Sequence, residues 1–339
     1  MGLTNAAIPV CNILGGTTAA TIMQRLMSVD VVDASGIEAD SARLQMDAAG
    51  LTTWPQTGGM ISVEMGYKNS GVRQLGRFKI TSIEENLLPA TMTITCTATP
   101  FEKADPTAFK AKRNHTWQAT TLGDIVQTIA ARHGFTPRVH PSLASDLIHH
   151  FDQTQENDMA FLTRLSKSYD AVCKVQDTFL IMSLKGQVKS MSGRIMAPVM
   201  IAYTGATNPQ EASFTNASIS SNDRHKYSGA SAYWQDQQQA QRTKVTVGSK
   251  PFAYLKGTFI NEASAIKAAQ AHMSQLSREG DKLSLQCPGN PALAAEAPLT
   301  LASFPSNRMG GQWSIDRVTH TYRRSNGYRC SVEATRPVG

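Results

Sequence analysis

His149 and His150 stand beside Asp152, a short cluster of residue types that bind metals or carry protons. A zinc site needs three or four ligands converging on one side, and adjacent histidines on a strand or loop diverge, so this cluster falls short. Glu84 and Glu85 form a carboxylate pair of the kind that divides general-acid and general-base work. As neighbours at a strand end they point apart, and a solvated turn accounts for them. Cys173 with His133 or His140 supplies a thiol and a base, yet neither local context activates a nucleophile. Tyr233-Trp234, beside a glutamine-rich run, offers rings for stacking on nucleobases. No basic residues interleave with them, which favours a barrel-edge or subunit-contact role. Nucleophile-elbow, P-loop, dinucleotide and H-E-x-x-H motifs are absent from the sequence. No catalytic, cofactor-binding or metal residue is assigned, and no cofactor is expected.

Composition sharpens this negative result. Of 339 residues, 17% are charged and 7% aromatic, which suits a β-rich protein whose uncharged polar faces are easily desolvated at subunit contacts. The net charge is +7, but its densest clusters, Lys110-Ala111-Lys112-Arg113 and Tyr322-Arg323-Arg324, are short and read as solvated patches. Sequence-specific nucleic-acid binding is not expected. Five dispersed cysteines (11, 96, 173, 287 and 330) fit buried reduced thiols better than a disulfide framework. No stretch approaches the ~20 apolar residues of a membrane span, and the N-terminus lacks the basic start of a signal peptide.

The elements that position these residues divide the chain into segments. Residues 152–184 read as a helix feeding a β-hairpin. Asp152, Glu156, Asn157 and Asp158 offer acceptors and negative charge for a helix start. Met159, Leu162 and Leu165 recur at helical spacing, Phe161 and Tyr169 widen the stripe, and Lys167 suits the far end. Ala171, Cys173 and Val175 then alternate, Gln176-Asp177-Thr178 turns the chain, and Phe179 to Leu184 runs back. Upstream, the middle region begins with Trp117, and Thr120 or Thr121 is the N-cap of a helix. Leu122, Ile125, Val126, Ile129 and Ala130 face a core, and Gly134 ends the helix. Together these make an α+β middle domain over 106–190.

Strand patterns flank that domain. Leu26–Val32, Ala42–Met46, Ile61–Tyr67, Phe78–Ile83 and Met92–Ala98 predict a small antiparallel barrel over 23–105, preceded by an N-terminal arm over 1–22 that orders on a partner. The last third echoes the first. F-x-I-x-x-I, a turn and M-x-I-x-C-x-A (from Phe78) return as W-x-I-x-x-V, a turn and Y-x-C-x-V-x-A (from Trp313). Phe78, Ile80 and Ile83 thus align with Trp313, Ile315 and Val318 as repeat-core positions, with one extra residue in the second turn. Duplication of a whole barrel explains this better than coincidence. A second barrel is expected over 191–339, using Ser213–Ile219 and Tyr227–Trp234, with a helix inserted at about 262–279 before its closing strands. The predicted fold is mainly β: two similar antiparallel barrels and a helix–hairpin middle domain.

The pattern Q-x-Q-E-x-D-x-x-F-L-x-R-L from Gln153 to Leu165 resembles the phage late control D family, the baseplate hub proteins of contractile tails, related to the hub part of VgrG-type spikes. Asp152, Gln155, Glu156, Asp158, Phe161, Leu162, Arg164 and Leu165 are its structural motif residues. GIEADSARLQMDAAG (36–50), the helix start at 117–126, HPSLASDLIHHFDQ (140–153) and AIKAAQAHMSQLSR (265–278) follow the family in the same order. The resemblance implies a non-enzymatic hub in the virion tail baseplate, or in a headless pyocin-like tailocin particle, assembled in the bacterial host cytoplasm without membrane insertion. It further implies tail-tube-like barrels and a homotrimer presenting six similar units to a sixfold tube above a threefold spike. The implied partners are the tail tube protein, a central spike on a separate chain, the tape measure C-terminus and the baseplate wedge proteins. Thrust would pass through the hub to the spike on contraction. A tail-borne cell-wall hydrolase and a DNA-binding late-gene regulator are the competing readings.

Overall fold

A computed structural model describes residues 8–35, 39–52, 54–98, 111–176, 179–184, 198–205, 213–221, 227–236 and 241–336. The chain begins with β1 (Pro9–Leu14), α1 (Gly16–Arg25), β2 (Leu26–Ala34), β3 (Ser41–Asp47), β4 (Met60–Tyr67), β5 (Gly71–Leu87) and β6 (Ala90–Ala98). Alternation drives these strands: Ala42, Leu44 and Met46 of β3, with Ile61, Val63 and Met65 of β4, are buried while their neighbours face outward. The expected N-terminal arm is structured from residue 8. Cys11, Ile13, Ala19 and Ile22 are buried, and β1 pairs antiparallel with β4.

The middle of the chain supplies β7 (Lys112–Thr121), α2 (Leu122–Arg132), β8 (Thr136–Val139), α3 (Pro141–Ala144), β9 (Leu147–Asn157), α4 (Asp158–Ser168), β10 (Ala171–Gln176) and β11 (Phe179–Leu184). Thr121 caps α2 through a capping box with Asp124, and Gly134 adopts φ +73° just past the helix, a conformation glycine takes at no steric cost. The expected helix start at residues 152–157 is a correction. Those residues close β9, which pairs antiparallel with β7, and only Asn157 caps α4 by accepting from the Ala160 N–H. The expected hairpin is present as β10 and β11, with β8 adding in parallel to β11. Asp177 and Thr178 of its turn lie outside the described residues.

The remainder holds β12 (Val199–Ala202), β13 (Asn216–Ser221), β14 (Gly229–Asp236), β15 (Gln241–Gly248), β16 (Phe252–Phe259), α5 (Glu262–Gly280), β17 (Asp281–Pro288), β18 (Pro298–Ala302), β19 (Gly311–Arg323) and β20 (Gly327–Thr335). Twelve strands form one sheet. Its path runs β1-β4-β5-β6-β3-β2-β19-β20-β17-β13, with β18 beside β19 and β12 beside β18. The first half reads 1-4-5-6-3-2 across the sheet and the second reads 12-18-19-20-17-13. With strands ranked by chain order within each half, these are the same sequence of places. The hairpins β5–β6 and β19–β20, carriers of the sequence echo, hold matching positions. The outer ladders differ: β1 joins β4 antiparallel, whereas β12 joins β18 in parallel.

Antiparallel pairing of β2 with β19, from Ala34↔Arg317 to Ser28↔Arg323, fuses the halves into a single sheet. Packing divides the chain into two compact units. Met1–Thr99, Ala197–Ile219 and Leu283–Ala334 form one compact unit, and Pro100–Met196, Ser220–Lys282 and Thr335–Gly339 the other. Tyr227–Trp234 and the helix at about 262–279, assigned from sequence to the second barrel, therefore fall with the middle residues. There β14 lies between β15 and β16, and α5 lays Ala265 and Ala269 on Ala230, Ala232 and Val245.

Candidate functional site

One carboxylate organises the middle region. Asp158, the first residue of α4, is fully buried. Arg132 at the end of α2 donates from Nη1 to both its oxygens at 2.9 Å, and His133 Nε2 donates to Oδ2 at 2.7 Å. Gln153 of β9 donates to Oδ1 at 2.9 Å, and Arg113 of β7 brings Nε within 3.4 Å of Oδ2. Three elements thus converge on a side chain of a fourth. Burial opposes ionisation of Asp158, but hydrogen bonds from Gln153, His133 and Arg132 and the charge of Arg132 outweigh it, holding the carboxyl below its ordinary value of 3.8. A buried ion so fully partnered is costly to break, because removing one member strands the others in low dielectric.

The other motif residues build the wall around it. Arg164 donates from Nη2 to the Asp152 carbonyl at 2.6 Å and to Glu156 Oε2 at 2.8 Å, while its Nε reaches Glu156 Oε1 at 3.3 Å. Its guanidinium also lies over the Phe151 and Phe161 rings, 4.6 and 5.5 Å from their centroids. Phe161, Leu162 and Leu165 are buried in one core with Trp117, Leu122, Ile125, Val126 and Ile129. Gln155 sits at φ +49° where the β7–β9 register slips, and its N–H donates to Asn114 Oδ1 at 2.7 Å. Asp152 accepts from Thr116 Oγ1 at 2.8 Å and from His150 Nε2 at 3.0 Å. These two bonds lower its pKa from 3.8. The arrangement fixes the geometry of β7, β9 and α4.

His150 bonds Asp152, and no group of three or more metal-binding side chains occurs among the described residues. Glu84 and Glu85 are exposed near the end of β5. Cys173 is packed in the middle core, where burial pushes its thiol up to about 12. His133 serves Asp158, and His140 Nδ1 accepts from the Ser142 N–H at the start of α3. Trp234 packs against the core beneath α5, and Arg242 lies over Tyr233 at 4.2 Å. Sequence pattern assigns Arg113 only a solvated role and Arg132 none. The signal is hidden because β7 shows no alternation, burying Trp117 alone among its ten residues.

In the large sheet, Phe78, Ile80, Trp313, Ile315 and Val318 are buried, and Ile83 is half-buried. Trp313 Nε1 donates to the Met309 carbonyl at 2.8 Å. The junction between halves is tied by Arg323, which clamps both oxygens of Asp30 at 3.0 and 3.1 Å, and by Thr321, which donates to Asp30 at 2.8 Å. In the second half, His320 Nδ1 lies 2.6 Å from the Tyr328 hydroxyl and 3.3 Å from Cys330 Sγ, all three buried. Tyr328 packs flat on Gly289, where an added Cβ would stand 2.1 Å from the ring.

The family profile described as phage tail baseplate hub (GPD) matches residues 107–326, which include the whole Asp158 cluster. The chain belongs to the phage tail baseplate hub family. As a baseplate hub protein it is a component of the phage tail, and none of its described helices is long and apolar enough to cross a membrane. The probable baseplate hub protein of Escherichia phage P2 is 28% identical over 92% of this chain and 88% of its own length. That of Escherichia phage 186 is 26% identical over 91% and 87%. A tail protein from Neisseria meningitidis superimposes with a TM-score of 0.68 at 12% identity, over 96% of both chains, and so shares the fold.

Proposed function

We propose that this baseplate hub protein acts as a trimeric, non-catalytic adaptor between a sixfold tail tube and a threefold central spike. The observation that carries the proposal is the repeated strand order of the large sheet, 1-4-5-6-3-2 and 12-18-19-20-17-13. Each half serves as one tube-like unit, so three copies under threefold symmetry present six quasi-equivalent units to the tube. The spike is seated below the trimer, and the tape measure C-terminus and the wedge proteins contact the ring from within and around. On sheath contraction the trimer passes the thrust of the tube to the spike. The motif cluster around Asp158 stiffens the middle region against that load.

The test is the mass of the full-length chain by analytical ultracentrifugation, alone and with its spike, together with its copy number in purified particles. Three copies per particle and a trimer in at least one of the two solutions are expected. A monomer in both solutions and absence from particles would overturn the reading.

A further inference from the structure

The two halves match down to individual hydrogen bonds, and then they part. In the first, Gly58 N–H donates to the Ile80 carbonyl and Ile80 N–H to Gly59, both at 2.8 Å. In the second, Glu296 N–H donates to Ile315 at 2.8 Å and Ile315 N–H to Ala297 at 3.1 Å. Ile80 and Ile315 are therefore equivalent points on β5 and β19. Beyond Ile315, β2 covers the same edge of β19 from Arg317 to Arg323. Beyond Ile80, no strand among the described residues covers the corresponding edge of β5, which pairs with β4 only up to Lys79.

Exposure follows the pairing. Val318 and His320 are 0% and 1% exposed under β2. Ile83, the counterpart of Val318, is half-buried, Glu85 is exposed, and Leu87 is 78% exposed. The strand in the second half equivalent to β2 is β13, which ends the sheet path. One edge of β13 faces β17; its outer edge is bare among the described residues, and Ser218 and Ser220 are exposed. Bare strand edges are templates for pairing with another chain.

We propose that the outer edge of β13 in one copy pairs antiparallel with Ser82–Leu87 of β5 in a second copy, repeating between molecules the β2·β19 ladder made within one. The occupant is set by continuity: the same two strand types already join in that order inside the chain. The contact is head-to-tail, using two different surfaces, and such contacts close into rings. It rests on the trimeric reading above and specifies where neighbouring copies meet. Six strands separate β5 from β13 along the sheet path, so the two edges serve different neighbours.

Engineered cysteines test the contact in purified tail particles carrying the full-length chain. All five native cysteines are buried, so introduced surface thiols dominate the oxidation chemistry. Ser82→Cys or Glu84→Cys is combined with Ser218→Cys or Ser220→Cys, the particles are mildly oxidised, and the chain is resolved on non-reducing gels. At least one pairing gives dimers and trimers that collapse on reduction, while single variants stay monomeric. Assembled particles with three copies per tail and no cross-link in any combination would overturn the edge assignment and leave the trimer standing. A chain that is monomeric with and without spike and missing from particles would remove the trimer first. A second variant avoids dependence on thiols: Leu87→Asp, at a side chain 78% exposed, lowers trimer formation at least tenfold with an unchanged thermal midpoint of the monomer. Undiminished trimer formation by that variant would also overturn the assignment.

Discussion

The two halves of the large sheet share an order of strands but not a chemistry. Where the first half places Met92 and Ile94, the second places Tyr328 and Cys330, linked to His320 in a buried polar cluster. Where the second half tucks Val318 under β2, the first leaves Ile83 half open. Strand order tolerates either filling, because pairing is made by backbone groups and needs only side chains that suit each face. Burial is set by which strand lies alongside, so equivalent positions diverge in exposure without any change of fold.

The largest effects come from the shared core. Phe78→Ala and Trp313→Ala each cost about 3–5 kcal/mol, read from urea midpoints of the full-length chain. Trp313→Ala is the larger, since it also discards the bond to Met309. A cost for Phe78→Ala as small as that of a surface change would break the equivalence.

The middle unit supplies a contrast, since a buried ion sits beside its apolar core. Asp158→Ala costs about 3–5 kcal/mol by stranding Arg132 and His133. Because its folded pKa lies below the ordinary 3.8, the stabilisation is complete above that value and is lost as pH falls through the folded pKa. Thermal midpoints measured from pH 6 to 2 therefore fall less steeply at the acid end in Asp158→Asn than in the parent. Identical acid slopes would show that the cluster contributes nothing to acid unfolding.

Val318→Ala against Ile83→Ala separates the covered edge from the open one. The first costs about 2 kcal/mol and the second under about 1 kcal/mol in the isolated chain. Equal costs would mean that β5 is covered within one copy after all. Smallest is Arg323→Ala at the junction, about 0.5–1 kcal/mol, shrinking further as salt is raised because both partners are partly exposed.

Much of this molecule is legible from local pattern. Period-two alternation locates the strands from Leu26 to Ala98 and the paired hairpins. Caps and helical spacing locate α2 and α4, and the motif from Gln153 to Leu165 points to the hub family. The β7–β9 ribbon escapes because Arg113 and Gln153 meet Asp158 through polar contacts, which carry no hydrophobic period. Tyr227–Trp234 is legible as a strand but not as a member of the middle unit, since a strand's own residues do not name its partner.

The amino-acid order by itself determined many of the elements, the echo between the two hairpins and the family, all of which rest on spacings of a few residues. Only the tertiary structure decided that the halves share one sheet and that a single carboxylate fastens the middle. Asp30 and Thr321 meet across 291 residues, and Arg132 reaches Asp158 across 26. Such contacts depend on which surfaces are left to be covered once every local element has formed, and no short window of sequence contains that information.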